Sequence, residues 1–193
     1  MKKVLLITRP IAPPWDEASK NFAYTLAKKI TGLELGVLTC GYVSSLPKNV
    51  RQHSIYTSNN FSYLQKVRLV KNIRKIQKNY DILHYLFTSA KLNSFLIKNF
   101  LRPKKNIQSV QTVATLREDL YSKDEIKKML FGDMIVTYSD YSKNKLKKLG
   151  FENVERIYPG IDLEKYKNKP KNSELMRQKE IASSDFVINF TGE

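Results

Sequence analysis

Seven short apolar runs punctuate the chain, and the stretches between most of them repeat apolar residues at helical spacing. The runs are "KKVLLIT" (2–8), "LELGVLT" (33–39), "HSIYT" (53–57), "DILHYLF" (81–87), "IQSVQTV" (107–113), "DMIVTYS" (133–139) and "VERIY" (154–158). Near-continuous, β-branched runs of this length are the mark of strands covered on both faces, which is the situation in a parallel sheet. Helices are expected after Asp16, which can cap a segment carrying Phe22, Ala23, Leu26, Ala27 and Ile30 on one face and ending at Gly32, and again over 61–79, 89–101, 123–130 and 141–149, the last closed by Gly150. Repeated βα units with right-handed crossovers give an α/β fold: a doubly wound, mostly parallel, Rossmann-like sheet with ligands at the carboxyl ends of the strands.

A chain of 193 residues can hold one complete domain and the beginning of another. No apolar run approaches the roughly 18 residues of a membrane span, and Arg9 interrupts the first run too early for a signal-peptide core, so a cytoplasmic location is expected. Cys40 is the single cysteine and His53 and His84 the only histidines, too few for a disulfide or a structural zinc site. Neither a metal nor a cofactor is expected. The glycines never fall as G-x-G-x-x-G or G-x-x-x-x-G-K-[ST], and neither G-x-S-x-G nor H-E-x-x-H occurs. An ordinary NAD domain, a P-loop NTPase, an α/β-hydrolase and a zincin are thereby excluded.

Charge is unevenly placed. Of the formal net +16, residues 35–117 carry 14 Lys and Arg against one acid, Asp81, whereas residues 118–193 balance 14 against 14. A field so concentrated points to an anionic partner: a membrane surface, a nucleic acid or a phosphorylated substrate. Over 63–80, Leu69, Ile73, Ile76 and Tyr80 form an apolar stripe, and Arg68, Lys71, Lys75 and Lys78 a cationic face. Such a helix can rest its basic face on anionic lipid while the stripe stays in the core.

The loop after the first strand, "RPIAPPWDEASKNF" (9–22), holds three prolines that stiffen it, an aromatic platform in Trp15, and the start of a helix at Asp16, Glu17, Ser19 and Lys20. It reads either as a rigid ligand-facing loop or as a capping turn with Trp15 as a hydrophobic staple. The two carboxylates would repel a phosphate and suit the hydroxyls of a sugar or polyol.

These segments together resemble the amino-terminal half of a GT-B glycosyltransferase, of the retaining family 4. The resemblance spans the chain: "KKVLLIT…APPWDEASKNFAYTLAKKI" is similar to the family's first strand, loop and helix, "DILHYL" to its D-[IV]-[IV]-H-x-H strand end, and the 35 residues "GDMIVTYSDYSKNKLKKLGFENVERIYPGIDLEKY" to its A-D-x-[IV]-[IV]-x-x-S-x-x-x-[KR]-x-x-L…G…[IV]-x-P-x-G-[IV]-D run. It implies a Rossmann-like acceptor-side domain over 1–165, an interdomain linker over 166–185, and, in "FVINFTGE", the first strand (186–193) of a donor-binding domain, the chain being a piece of a protein about twice its length. The E-x7-E carboxylates and the nucleotide-sugar would belong to that other domain, leaving no catalytic residue here.

Three departures from the family pattern bear on the site. Asp16, Glu17, Ala18 and Ser19 stand where the family often has glycines, Leu86 replaces the second histidine of H-x-H, and Ala114 replaces that of T-[IV]-H. The acceptor site the resemblance implies therefore consists of Trp15, Asp16, Glu17, Ser19, Lys20, His84, Arg117 and Ser139, with Arg117 suited to an anionic acceptor group. The implied function is the acceptor-side half of a retaining, hexosyltransferase-type enzyme. It would move sugar from a nucleotide-sugar to a sugar or lipid-linked acceptor, peripherally on the inner face of the cell membrane, and this piece alone would be inactive. A GT-B sugar-nucleotide epimerase and a basic nucleic-acid-binding module are the alternatives; the latter would need exposed aromatics among the cations, for which Tyr56, Phe61 and Tyr63 are the one cluster.

Overall fold

Among the described residues every strand pairing is parallel, and seven strands form one sheet in the order β3-β2-β1-β4-β5-β6-β7. The strands are β1 (Lys3–Ile11), β2 (Glu34–Cys40), β3 (Arg51–Tyr56), β4 (Ile82–Tyr85), β5 (Gln108–Val113), β6 (Met134–Thr137) and β7 (Val154–Arg156). Between them run α1 (Ala18–Lys29), α2 (Tyr63–Ile76), α3 (Lys91–Phe100), α4 (Lys123–Met129) and α5 (Asp140–Lys148). The computed structural model describes residues 1–15, 17–60, 62–86, 90–101, 106–160, 163, 170–182, 184 and 185. It divides into a unit Met1–Tyr158, which holds the sheet, and a unit Pro159–Glu193.

All seven expected strands are present, and the sheet is wholly parallel. The reason is visible in β1, where Leu5 and Ile7 enter one apolar layer and Val4 and Leu6 the other. A strand buried on both sides has no polar alternation to show. On the first face Leu69 and Ile73 of α2 and Ile97 of α3 cover Leu5, Ile7, Leu83 and Tyr85. On the second, Ala23 and Ala27 bring α1 close over Leu6 and Val37. A third cluster joins Val113 and Ile135 to Ile126 of α4 and Leu146 of α5.

Helix ends follow from local chemistry. Ser122 and Glu125 form a reciprocal capping box at α4. Ser139 accepts from the Ser142 amide at the start of α5, and Gly150, at φ +93, ends it by donating to Lys147 while Phe151 donates back to Leu146, the two bonds of a Schellman motif.

One glycine is required by packing. A Cβ on Gly36 of β2 would lie 2.1 Å from the Tyr80 hydroxyl, which crosses the strand to meet His53 Nε2 of β3 at 2.5 Å.

Some expectations need correction. Asp16 lies outside the described residues, and the N-cap of α1 is Glu17, whose side chain makes no capping bond because Arg9 and Ser19 occupy it. The helix ends at Lys29, and Gly32 instead turns the chain into β2 at φ +75. Within the expected linker a short helix, α6 (Ser173–Gln178), is capped by Asn172. The strand expected over 186–193 lies outside the described residues.

Candidate functional site

β1 lies in mid-sheet, with the chain running outward to β2 and β3 and then returning to its other side at β4. The helices that follow adjacent β1 and β4, α1 and α3, pack on opposite faces of the sheet, and a crevice at such a reversal opens at the carboxyl edge. The proline loop emerges there.

That loop is held from several sides. Arg9 Nη1 pairs with Glu17 at 3.0 Å, and the Ser19 hydroxyl donates to the other Glu17 oxygen at 2.5 Å. The Asn21 amide donates to the Trp15 carbonyl at 3.0 Å, and the Asn59 amide reaches across from the β3–α2 connection to the Pro13 carbonyl at 2.5 Å. The Trp15 ring lies 4.3 Å from that of Tyr24, tilted by 31°, and remains 37% exposed. It therefore has a backing ring on one side and solvent access on the other, an arrangement suited to stacking on the apolar face of a sugar. The Glu17 carboxylate has two intramolecular partners that a ligand hydroxyl would have to join, and Lys20 is buried, 6% exposed, within α1.

Asn59 is a site component that the sequence reading did not single out. Its signal was the polar run "TSNN" directly after the third strand. Thr57 and Ser58 of that run lie 2.8 and 3.0 Å from the amide of buried Gln65, so the connection is itself anchored to α2. Trp15 is the chain's one tryptophan, so its emission reports on this loop alone. Asn59→Ala should raise acrylamide quenching of Trp15 roughly twofold while far-UV dichroism stays unchanged, because an exposed loop-to-loop hydrogen bond contributes only about 1 kcal/mol to global stability. Unchanged quenching would show that the other contacts suffice to hold the loop.

His84 lies inside β4 rather than in the loop beyond it, in register with Leu6 and Val110. Its Nε2 is 2.8 Å from Thr112 Oγ1 of β5, and burial lowers its pKa to about 4. The ring is thus a neutral hydrogen-bonding group just below the edge. Arg117, after β5, is exposed and grips Asp119 through Nε and Nη2 at 2.9 and 2.7 Å. The residue between them, Glu118, accepts from Tyr141 and Lys145. Arg117 is open to an anion but carries its own carboxylate. Ser139, after β6, is engaged as the cap of α5.

Because the sheet is parallel throughout, the loops after β1, β3, β5 and β6 leave from one edge. A ring contact between Phe22 of α1 and Tyr138 beyond β6, centroids 5.8 Å apart, links the first of these to the last. The groups gathered there are an aromatic face, a neutral imidazole, and amides and hydroxyls, which suits them to holding a hydroxylated ligand. The basic residues expected to meet a membrane are elsewhere. Lys71, Lys75 and Lys78 project from α2 and the turn after it, while Arg68 Nε donates to the Ile55 carbonyl at 2.6 Å and is tied to β3.

No family model and no curated protein sequence matches the chain. Solved structures do. The Anabaena protein Alr3699/HepE in complex with UDP-glucose superposes with a TM-score of 0.62 at 16% identity, over 95% of this chain and 51% of its own. The same protein in complex with UDP and glucose gives 0.57 at 16% identity, over 93% and 50%. This chain spans about half the length of those structures. A likeness at this identity shows a shared fold, here a Rossmann-like half.

Proposed function

We propose that the chain is the acceptor-side half of a glycosyltransferase that draws its sugar from a nucleotide-sugar. The observation that carries the reading is the fold match: 95% of this chain superposes on about half of a protein holding UDP-glucose. The crevice chemistry agrees with the acceptor role. No phosphate-cradling glycine motif is present, and the first loop offers an aromatic face and, at its helix start, the Glu17 carboxylate, whose charge disfavours a phosphate there.

On this reading Trp15 stacks against the acceptor, while Asp16, Glu17 and Ser19 frame its hydroxyls; Lys20, enclosed within α1, stays outside this set. His84 assists from below as a neutral partner, and Arg117 exchanges Asp119 for an anionic group on acceptors that carry one. Ser139 shapes the far wall. The donor would be held by a second Rossmann-like domain, reached through a linker over 166–185, with transfer proceeding with retention as in family 4 enzymes. A cytoplasmic location fits a nucleotide-sugar donor.

The 193-residue chain should release no UDP from UDP-glucose, and millimolar UDP should leave its Trp15 emission unchanged. A panel of mono- and oligosaccharides should include a member that shifts that emission and loses its effect in Trp15→Phe/Tyr24→Trp, where the reporter is moved to the backing ring. Tight UDP-glucose binding by this chain would overturn the acceptor-side assignment.

A further inference from the structure

The outer surface of α2 and α3 departs from an ordinary solvated face. On α2, Tyr63, Leu64 and Val67 are exposed by 63, 78 and 47%, and on α3, Leu92, Phe95 and Phe100 by 45, 58 and 42%. The two helices are neighbours on the same side of the sheet, and a shallow apolar groove between them is lined by Val70, Leu96 and Leu101. The outward sides of these two neighbouring helices thus carry six exposed large apolar side chains, an apolar ridge where a soluble surface normally shows single scattered ones.

The charges around the ridge identify what covers it. Neither helix contains an acid. Lys71, Lys75 and Lys78 extend the α2 side of the ridge, with no carboxylate partner among the described residues. A second copy of this chain would bring the same cations against them. An anionic lipid surface would neutralise them while the apolar residues enter the headgroup boundary, which is how interfacial helices bind.

We propose that the α2–α3 ridge docks on anionic membrane, with Leu64 and Phe95 as its apolar anchors and Lys71, Lys75 and Lys78 as its electrostatic contacts. The contact is superficial, since no helix among the described residues is long and apolar enough to cross a bilayer. Its geometry is directional. Helices in a parallel sheet run opposite to the strands, so the amino ends of α2 and α3, which carry Tyr63, Leu64, Leu92 and Phe95, lie at the carboxyl edge where the crevice opens. If the transferase reading holds, on which this step alone rests, this placement favours an acceptor presented from the lipid surface; the docking itself does not depend on that reading.

Co-sedimentation tests it, using vesicles of equal parts phosphatidylglycerol and phosphatidylcholine, with phosphatidylcholine alone as the control. The chain should partition onto the anionic vesicles at least tenfold better than onto the neutral ones. Leu64→Ser/Phe95→Ser and Lys71→Glu/Lys75→Glu/Lys78→Glu should each weaken that partitioning at least tenfold, with far-UV dichroism unchanged because all five positions are exposed. In Trp15→Phe/Phe95→Trp, the new tryptophan should blue-shift on anionic vesicles. Equal binding to neutral vesicles, an undiminished serine variant, or a Phe95→Trp emission that stays aqueous would each overturn the proposal. So would concentration-dependent dimerisation that the serine variant abolishes, or tighter binding to a single-stranded RNA that the serine variant leaves intact.

Discussion

Gly36→Ala should lower the stability of the sheet domain by about 3 kcal/mol, the upper part of the range for overpacking a closed interior. The added methyl would meet the Tyr80 hydroxyl at 2.1 Å and two ring carbons at 2.6 and 2.8 Å. The ring cannot swing aside freely. It is 7% exposed, packed in the layer with Leu69 and Ile73, and hydrogen-bonded to His53. Displacing it sacrifices that bond and the surrounding contacts together. In a thermal melt the loss should appear as a midpoint lower by roughly 6 to 12 °C. Tyr80→Leu removes the obstructing atoms, so the double variant should be less destabilised than the two single changes added together. Strict additivity would show that the methyl is accommodated by a backbone shift instead.

His84 should make the protein lose stability on mild acidification. Burial lowers its folded pKa to about 4, whereas the ring titrates near 6.5 in an unfolded chain. Between these values the unfolded state binds more protons. The stabilisation is fully present above pH 6.5 and is lost progressively as pH falls toward 4. At pH 5 the deficit relative to pH 7 comes to about 2 kcal/mol. His53, lowered by its own burial and by Arg51, acts in the same direction. His84→Gln keeps a donor for Thr112 and cannot titrate, so urea unfolding of this variant should show a pH 7 to pH 5 difference smaller by about 2 kcal/mol. An identical slope in both proteins would place the ring in contact with water.

The strands were legible because a parallel sheet buries both faces of its inner strands, which favours short apolar runs, although Ser109, Gln111 and Thr112 show that β5 also buries polar side chains. Helix stripes such as Leu69 and Ile73 were equally legible, since the inward face of a helix declares itself by spacing. The outward face does not. Phe95 and Phe100 satisfy the same periodic reading as core residues, and only the packing of α3 against Leu83 and Tyr85 through Ile97 shows which side is left over. Pairings across strands were also hidden. His84 and Thr112 are 28 positions apart, and their meeting depends on a register that no local pattern encodes. Glu17 illustrates the remaining gap: its position near a helix start was plain, but its engagement by Arg9 from the end of β1 arises only once the loop has folded back. Lys20, which the resemblance places in the acceptor site, is enclosed on the face of α1 that carries buried Ala23 and Ala27.

The placement of β1 also governs the order in which the molecule can be assembled during synthesis. Its first strand leaves the ribosome with both edges unpaired, and one of them must wait for β4, to which Val4 pairs at Ile82 and Lys3 at the Asp81 carboxylate, 78 positions along the chain. At ordinary translation rates of about 5 to 20 residues per second, that wait is roughly 4 to 16 s. During it, the most apolar run in the protein is half-covered at best by β2, which arrives within the first forty residues. The nascent domain therefore passes through a stage in which a sticky ribbon of two strands and one helix is complete and its central seam is open. Slow codons placed before residue 82 would lengthen that exposure, and chaperones that shield apolar segments would find their principal client there.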